Sequence, residues 1–178
     1  MHILALCLIL LVSQQVLAQS RNEIAVSYGV GSLQVNPDGG TTAVFSVSYR
    51  FHITRHFSAE GALDTFNYKF LTGPPDNLTE YKDDYLGAEA ALVYYFRSNR
   101  ETNRLLPFVV AGMGKTTTDF TEISAQPYYR LGAGFAYNLT ESLGLRLEVR
   151  DEIIKRLHIN GQPNGNLPSI RFGVAYRF

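Results

Sequence analysis

The last ten residues of the chain, Ser169 to Phe178, read SIRFGVAYRF. Successive side chains of a β-strand point to opposite sides, so this stretch has an apolar face and a face of small or cationic residues. The apolar face holds Ile170, Phe172, Val174, Tyr176 and Phe178. An unpaired last strand would be an exposed edge, which proteins cover or close. The pattern therefore predicts a barrel in which the last strand pairs with the first.

The composition and the amino-terminal segment indicate a single exported domain. Lys plus Arg and Asp plus Glu number 16 each among 178 residues, so no net charge favours a nucleic-acid partner. The first residues, MHILALCLILLVSQQVLAQS, combine a short apolar run with a small-residue cleavage pattern, although no Lys or Arg precedes the run. We predict a signal peptide over residues 1–18 and one domain over residues 19–178. The single cysteine, Cys7, lies in the predicted signal, so the domain needs a stabilising device other than a disulfide.

Alternation with a period of two continues through nearly the whole predicted domain, and no helical stripe of apolar residues is present. The predicted strands cover about residues 23–33, 42–51, 57–68, 85–96, 105–117, 128–139, 143–153 and 169–178. Their lengths match the roughly 9–11 residues that a tilted strand needs to cross a bilayer. The segments 71–84 and 155–168 are predicted to be long polar loops, whereas the connections after the second and sixth strands are short. We predict an all-β, eight-stranded, antiparallel up-and-down transmembrane β-barrel.

The width of the barrel indicates which face is inside. Eight strands enclose a lumen just wide enough to be filled by side chains. The face rich in Phe, Tyr, Leu and Val would overfill this space, so we expect it to meet lipid and the face of Gly, Ser, Ala and charged residues to line the lumen. A soluble, lipocalin-like barrel with an apolar lumen is the alternative. Both faces of LPFVVAGMG, which begins at Leu106, are apolar, so the facing of the fifth strand stays open.

Eight charged residues fall on the predicted lumen face: Glu60, Asp64, Glu89, Arg130, Arg146, Glu148, Arg150 and Arg171. Counted from the strand ends, they form a middle group and a lower group, with Arg130 nearer the loops. Buried charges without partners are costly, whereas paired and hydrogen-bonded charges are tolerated. One interpretation is a network of arginines and carboxylates that plugs the barrel. The other is that these residues only solvate the lumen, and the sequence leaves both open.

The signal, the alternating strands, LPFVVAGMG, the segment LGLRLEVRDEI at residues 143–153 and the terminal GVAYRF resemble the small bacterial outer-membrane β-barrel family. This is the family of the OmpA amino-terminal domain and its OmpX-like relatives. The resemblance covers the mature chain and rests on residue classes, so it implies a fold more than an activity. It implies a bacterial outer-membrane location, contact with outer-membrane lipid and lipopolysaccharide, and recognition of Tyr176 and Phe178 by the barrel assembly machinery. We expect a monomer.

No motif in the sequence predicts a cofactor, a metal site or a catalytic residue. His52 and His56 form the one close histidine pair, and their position in a short turn predicts exposure to solvent. The enzymatic alternative is a lipid A deacylase-like barrel, which would carry a His-x-Ser element. Here His158 is followed by Ile159 and Asn160, so the nucleophile position is not Ser.

We therefore predict a non-enzymatic structural and interaction barrel with a polar, side-chain-filled lumen. Its loops, in particular residues 81–84 and 155–166, are the predicted contact with an unknown partner or surface glycan, because loops on a rigid scaffold often carry function. A narrow pore is a further alternative, which packing in so small a lumen disfavours.

Overall fold

The computed structural model describes residues 22–34, 39–72, 79–98, 104–118, 126–159 and 162–178, so the predicted signal peptide lies outside the described residues. Eight strands occur in chain order: β1 (Asn22–Gln34), β2 (Gly39–His52), β3 (Phe57–Thr72), β4 (Thr79–Tyr95), β5 (Leu105–Thr118), β6 (Gln126–Asn138), β7 (Leu143–Ile159) and β8 (Gln162–Arg177). Each strand pairs antiparallel with the next, and the sheet is closed. The predicted eight-stranded, all-β, up-and-down barrel is confirmed. Among the described residues, no helix is long and apolar enough to span a membrane.

Closure takes place between the two terminal strands, as the last ten residues predict. β1 and β8 are antiparallel, with Ile24 opposite Tyr176 and Val30 opposite Ile170. Beyond this ladder, the backbone N–H of Asn22 donates to the carbonyl oxygen of Phe178, and the N–H of Phe178 donates to the carbonyl of Asn22, both at 2.9 Å. The barrel therefore has no open edge between its first and last strands.

The apolar face points outward, as predicted from the width of the lumen. Tyr28 and Leu92 are each 59% exposed, whereas the neighbouring charged side chains of the opposite face are buried. The fifth strand also has a definite facing, since Leu106, Phe108 and Val110 point inward. Exposed apolar side chains on the remaining strands include Val26, Phe45, Leu63, Leu131, Leu147 and Phe172. This outer surface requires an apolar surrounding rather than water.

The prediction that the lumen face contains only small and charged residues was wrong in part. Four large aromatic side chains are also buried inside the barrel: Phe66, Tyr95, Phe108 and Tyr128. Inward-facing glycines stand next to three of these rings, those of Phe66, Phe108 and Tyr128, and leave room for them. A Cβ atom placed on Gly134 would lie 2.8 Å from the ring of Phe108, and one on Gly114 would lie 2.5 Å from the ring of Tyr128.

The two predicted long loops are largely strand, which corrects their boundaries. β3 continues to Thr72 and β4 begins at Thr79, while β7 and β8 extend to Ile159 and from Gln162. The pairing of β3 with β2 ends at residue 68 and that of β4 with β5 begins at residue 85, so beyond these points β3 and β4 pair only with each other among the described residues. We call these extensions the β3–β4 ribbon (69–72 with 79–84) and the β7–β8 ribbon (155–159 with 162–165). Their polar residues hid the strands, because backbone ladders do not require apolar side chains.

Candidate functional site in the barrel lumen

The lumen holds a charge network of twelve buried ionisable side chains. It contains six carboxylates and six guanidinium groups, so the formal charges of the described lumen residues cancel. The members are Glu23, Arg50, Glu60, Asp64, Glu89, Arg130, Arg146, Glu148, Arg150, Glu152, Arg171 and Arg177. Each of the eight lumen charges predicted from sequence lies in this set and forms at least one ion pair. We call the twelve residues the lumen network.

The lower part of the network begins at the rim where the chain termini meet. Nε of Arg177 lies 2.9 Å from a carboxylate oxygen of Glu23, and Glu23 also pairs with Arg146. Arg146 in turn donates to Glu60 at 3.0 Å. Arg50 donates to the same carboxylate through Nε at 2.9 Å. One carboxylate oxygen of Glu60 therefore accepts from two arginines of different strands, which fixes the spacing across this end of the lumen.

Arg130 connects the lower and middle parts of the network. Its backbone stands opposite Glu152 in the β6–β7 register, which agrees with its predicted height nearer the loops. Its long side chain extends downward from this height and reaches the lower group. Its guanidinium donates to Glu60 at 2.9 Å, to Glu148 at 2.7 Å and to Glu89.

The middle part of the network is organised by Arg150 and Arg171. Arg150 lies 3.1 Å from both Asp64 and Glu89, and its Nε donates to Glu148 at 2.8 Å. Arg171 donates to the second oxygen of Asp64 at 3.0 Å. Asp64 thus accepts one arginine at each oxygen, and the predicted middle group is brought together by the fold.

Three carboxylates in this region have a spacing that could hold a cation. Oxygens of Asp64, Glu89 and Glu152 all lie within 4.8 Å of one another. However, Arg150 and Arg171 already contact these groups, and Arg171 pairs directly with Glu152. Their positive charge takes the role that a metal ion would have, so this cluster is part of the lumen network rather than a metal site.

Four members of the network were missed by the choice of eight residues: Glu23, Arg50, Glu152 and Arg177. All four fall on the inward face of their strands by the same period-two count, so the alternation contains the signal needed to find them. Alternation does not show how far along each strand the inward-facing side chains stay buried. In the structure they stay buried up to both ends of the barrel wall, which includes these four residues.

An apolar cluster fills the lumen beside β4, β5 and β6. Its members are Ala91, Val93, Tyr95, Leu106, Phe108, Val110 and Ala136. Arg50 joins this cluster to the lumen network, because its guanidinium donates to the hydroxyl of Tyr95 and lies 5.3 Å from the ring centre of Phe108. A cation over an aromatic face is attracted by the ring quadrupole. Charged and apolar side chains therefore meet in the lower lumen.

Aromatic groups fill the half of the lumen nearer the ribbons. The hydroxyl of Tyr128 donates to Glu89 at 3.1 Å, and Arg171 lies 5.8 Å from the ring centre of Phe66. Phe66, Tyr128 and Leu167 are each at most 1% exposed. Packed side chains therefore fill the lumen above the charges as well as around them.

The predicted exposure of the histidine pair was wrong. His52 is the last residue of β2 and points inward, where its Nδ1 lies 2.6 Å from the hydroxyl oxygen of Ser58. His56 is half-buried, and its Nδ1 lies 2.9 Å from the backbone oxygen of Tyr95. Ser58 is completely buried, so the Ser–His contact has no access to a substrate and joins two strand ends.

Comparisons with known proteins agree with this architecture. A family model described as "Outer membrane protein beta-barrel domain" matches residues 4–178. Neisserial surface protein A has a similar solved structure at 15% identity and a TM-score of 0.66, covering 88% of this chain and 97% of that chain. Ail of Yersinia pestis, solved in complex with the heparin analogue sucrose octasulfate, is similar at 16% identity and a TM-score of 0.54, covering 90% and 99%. The outer membrane enzyme PagL is similar at 19% identity and a TM-score of 0.59, covering 84% and 97%. No curated protein sequence matches.

Proposed function

Because this chain belongs to the outer-membrane β-barrel family, we propose that it is a structural barrel with a closed lumen and two surface ribbons that bind partners. The barrel lies in the bacterial outer membrane. The observation that carries the proposal is the continuous, charge-neutral lumen network, which runs from Arg177 at the rim to Arg171 and Glu152 higher in the lumen. The network makes the barrel a rigid support rather than a conduit.

The closed lumen is tested by ion conductance. Arg150 and Arg171 together contact Asp64, Glu89 and Glu152. Removing both takes away the arginines that contact Asp64 and Glu152 and leaves Glu89 with Arg130. In planar bilayers we expect baseline conductance for the wild-type protein and stable, cation-selective conductance for the double variant Arg150→Ala/Arg171→Ala.

The matched control for conductance is Arg97→Ala at an exposed turn residue, which leaves the lumen intact. Folding of each variant is checked by a heat-modifiable band in electrophoresis. A conducting wild-type protein, or a folded double variant that stays at baseline, would contradict the closed-lumen proposal.

The interaction part of the proposal rests on the two ribbons. The β3–β4 register runs from Phe57 opposite Tyr94 to Thr72 opposite Thr79, which is 16 residue pairs. A bilayer crossing uses roughly 9–11 residues, so about five pairs extend beyond it, a reach on the order of 15 Å. The β7–β8 ribbon stands four strands away in the closed ring of eight and so on the opposite side. Two projecting ribbons on opposite sides can contact a partner jointly.

An anionic surface glycan is the partner class that we test first. The β7 part of the β7–β8 ribbon begins with the sequence KRLH at residues 155–158. The Ail complex supplies a defined probe, sucrose octasulfate. In calorimetry with protein in nanodiscs, we expect binding that falls at least about tenfold when residues 155–164 are replaced by an Asn-Gly hairpin turn.

Replacement of residues 70–81 by the same turn is the matched control, since it shortens the other ribbon and leaves KRLH in place. The control should retain more of the binding than the shortened β7–β8 ribbon. Absence of binding by the wild-type protein, or equal binding by all three proteins, would refute the glycan proposal while leaving the closed-lumen test unaffected.

The terminal aromatic pair supports recognition by the barrel assembly machinery. Tyr176 and Phe178 are each 56% exposed on the outer wall, with their rings stacked at 6.3 Å. We expect Phe178→Ala to lower the amount of folded protein in the outer membrane. Phe135→Ala, which removes an equally exposed aromatic ring away from the terminus, is the control. Equal outer-membrane levels for the two variants would contradict the assembly role.

Enzymatic activity has no comparable support. The similarity to PagL is at the level of fold, and the Ser58–His52 contact is enclosed in the lumen. We expect no released acyl chains when the protein is incubated with lipopolysaccharide and the products are analysed by mass spectrometry. Release of fatty acid would establish the deacylase alternative.

A further inference from the structure

A groove with a volume of about 370 Å³ lies on the outer wall of the barrel across β4, β5 and β6. Its origin is a difference in side-chain size along one row of the sheet. Ala111 stands directly between Leu92 and Leu131 in the strand register, and all three point outward. The small alanine between two leucines leaves a channel in an otherwise bulky apolar surface. Phe57, Tyr94 and Val109 complete the outward-facing walls.

The groove extends from one end of the barrel to about the middle of the bilayer. Phe57 is the first residue of β3 and Tyr94 the second-last of β4, so both stand at the short-turn end. Leu131, at the other end of the groove, lies seven residues before the end of β6 at Asn138. Seven tilted residues rise on the order of 15 Å, about half the hydrocarbon thickness. Outer-membrane barrels place their short turns in the periplasm, so the groove spans the periplasmic leaflet.

Aromatic side chains surround the groove where it reaches the turns. The rings of Phe57 and Tyr94 lie 5.0 Å apart, and Tyr94 and Phe96 meet edge to face at 5.4 Å. His56 stacks on Tyr94 at 6.0 Å. Aromatic side chains concentrate at the interface between headgroups and hydrocarbon, so this cluster marks the headgroup level at the mouth of the groove.

Three arginines stand next to this mouth, and all three are exposed: Arg55, Arg97 and Arg104. Backbone hydrogen bonds hold their turns side by side. The N–H of Tyr95 donates to the carbonyl of His56 at 2.8 Å, and the N–H of Phe96 donates to that of Pro107 at 3.1 Å. The described turn residues include one acidic side chain, Glu141, and it belongs to the separate β6–β7 turn. The mouth of the groove is therefore a cationic rim at headgroup height.

We propose that this groove and its arginines bind one anionic glycerophospholipid of the periplasmic leaflet. An acyl chain lies over Ala111, and the anionic headgroup phosphate contacts Arg55, Arg97 and Arg104. The length of the groove matches one leaflet. The positive charge at its mouth would attract an anionic headgroup and would repel a second copy of this chain, which carries the same arginines. Polybasic groups near a bilayer attract anionic lipid in this way.

Native mass spectrometry of protein released from nanodiscs tests the proposal. The nanodiscs contain phosphatidylglycerol and phosphatidylethanolamine in equal amounts, and the readout is the ratio of the two single-lipid adducts. We expect the wild-type protein to retain phosphatidylglycerol about fivefold more than phosphatidylethanolamine, the effect of one full arginine–headgroup contact. The triple variant Arg55→Gln/Arg97→Gln/Arg104→Gln should bring this ratio to about one, and the matching triple Lys variant should keep the preference.

Ala111→Leu tests the contribution of the groove independently of the arginines, because it fills the channel without changing any charge. We expect it to lower retention of both lipids. Ala88→Leu adds the same bulk to the outward face of β4 outside the groove and should leave retention unchanged. Equal retention of both lipids by the wild-type protein would overturn the proposal. So would a preference that survives the Gln variant, unchanged retention by Ala111→Leu, or a dimer mass that Ala111→Leu abolishes. Heat-modifiability confirms that each variant is folded.

Discussion

Removing Arg130 should expose how strongly the lumen network depends on charge balance. Its guanidinium contacts Glu60, Glu89 and Glu148, and its side chain is completely buried. Arg130→Met keeps most of the volume but leaves the lumen with one surplus negative charge. Breaking a buried ion pair by removing one partner costs about 3–5 kcal/mol. We expect about 3 kcal/mol, the lower end, because each carboxylate keeps another arginine and Nε of Arg130 has no hydrogen-bond partner within the described part of the chain.

A second substitution tests whether charge, rather than lost packing, causes this effect. Glu89→Gln alone should cost about 2 kcal/mol, since it leaves a surplus positive charge near Arg150. Arg130→Met/Glu89→Gln restores neutrality, so the double variant should lose about 3 kcal/mol rather than the sum of about 5. The resulting coupling of about 2 kcal/mol is within the range for residues in one network.

The free energy of unfolding is measured by urea titration in lipid vesicles, followed by far-ultraviolet circular dichroism because the chain has no tryptophan. Arg104→Met, an exposed turn substitution, is the control and should change stability by less than about 0.5 kcal/mol. Strict additivity of the two substitutions, or a loss below about 1 kcal/mol for Arg130→Met, would refute the view that the network is held by charge balance.

Three further predictions concern packing and use the same unfolding measurement. Gly134→Ala should destabilise the barrel by about 2 kcal/mol, because the new Cβ would lie 2.2 Å from the backbone oxygen of Leu147. The control Gly61→Ala should be nearly neutral, because the nearest atom of the described residues, the backbone oxygen of Glu89, would lie 3.9 Å from the new Cβ. Phe108→Ala should cost about 3–5 kcal/mol, since it empties the centre of the apolar cluster in the lumen; a loss below about 1 kcal/mol would contradict this. Asp151→Leu should stabilise the barrel by about 1 kcal/mol, because one carboxylate oxygen is buried without a hydrogen-bond partner among the described residues; destabilisation would show that this carboxylate has a stabilising role.

Much of the inward and outward arrangement could be read from the sequence, because a strand reverses side-chain direction at every residue. The closing strand shows this, since Arg171 and Arg177 both point inward and Phe172 and Tyr176 outward. The same count would have found Glu23, had the inward face been followed to the end of β1. Alternation does not indicate which face of β5 points into the lumen, because both faces are apolar. That facing depends on β6, which supplies Gly134 next to the ring of Phe108.

The strand number, the closure and the apolar outer wall follow from local periodicity and chain order, so all three can be predicted without a structure. Which charges contact each other was decided only by the tertiary structure. Arg130 contacts Glu60, 70 residues away in sequence. The stagger of the strands and the length of the arginine side chain allow residues at different heights of the barrel to form this hydrogen bond. The two ribbons also emerged only in three dimensions, since their backbone ladders are independent of apolar patterning. Closing the last ten residues against β1 is what encloses the lumen, and the enclosure turns twelve separate charges into one network.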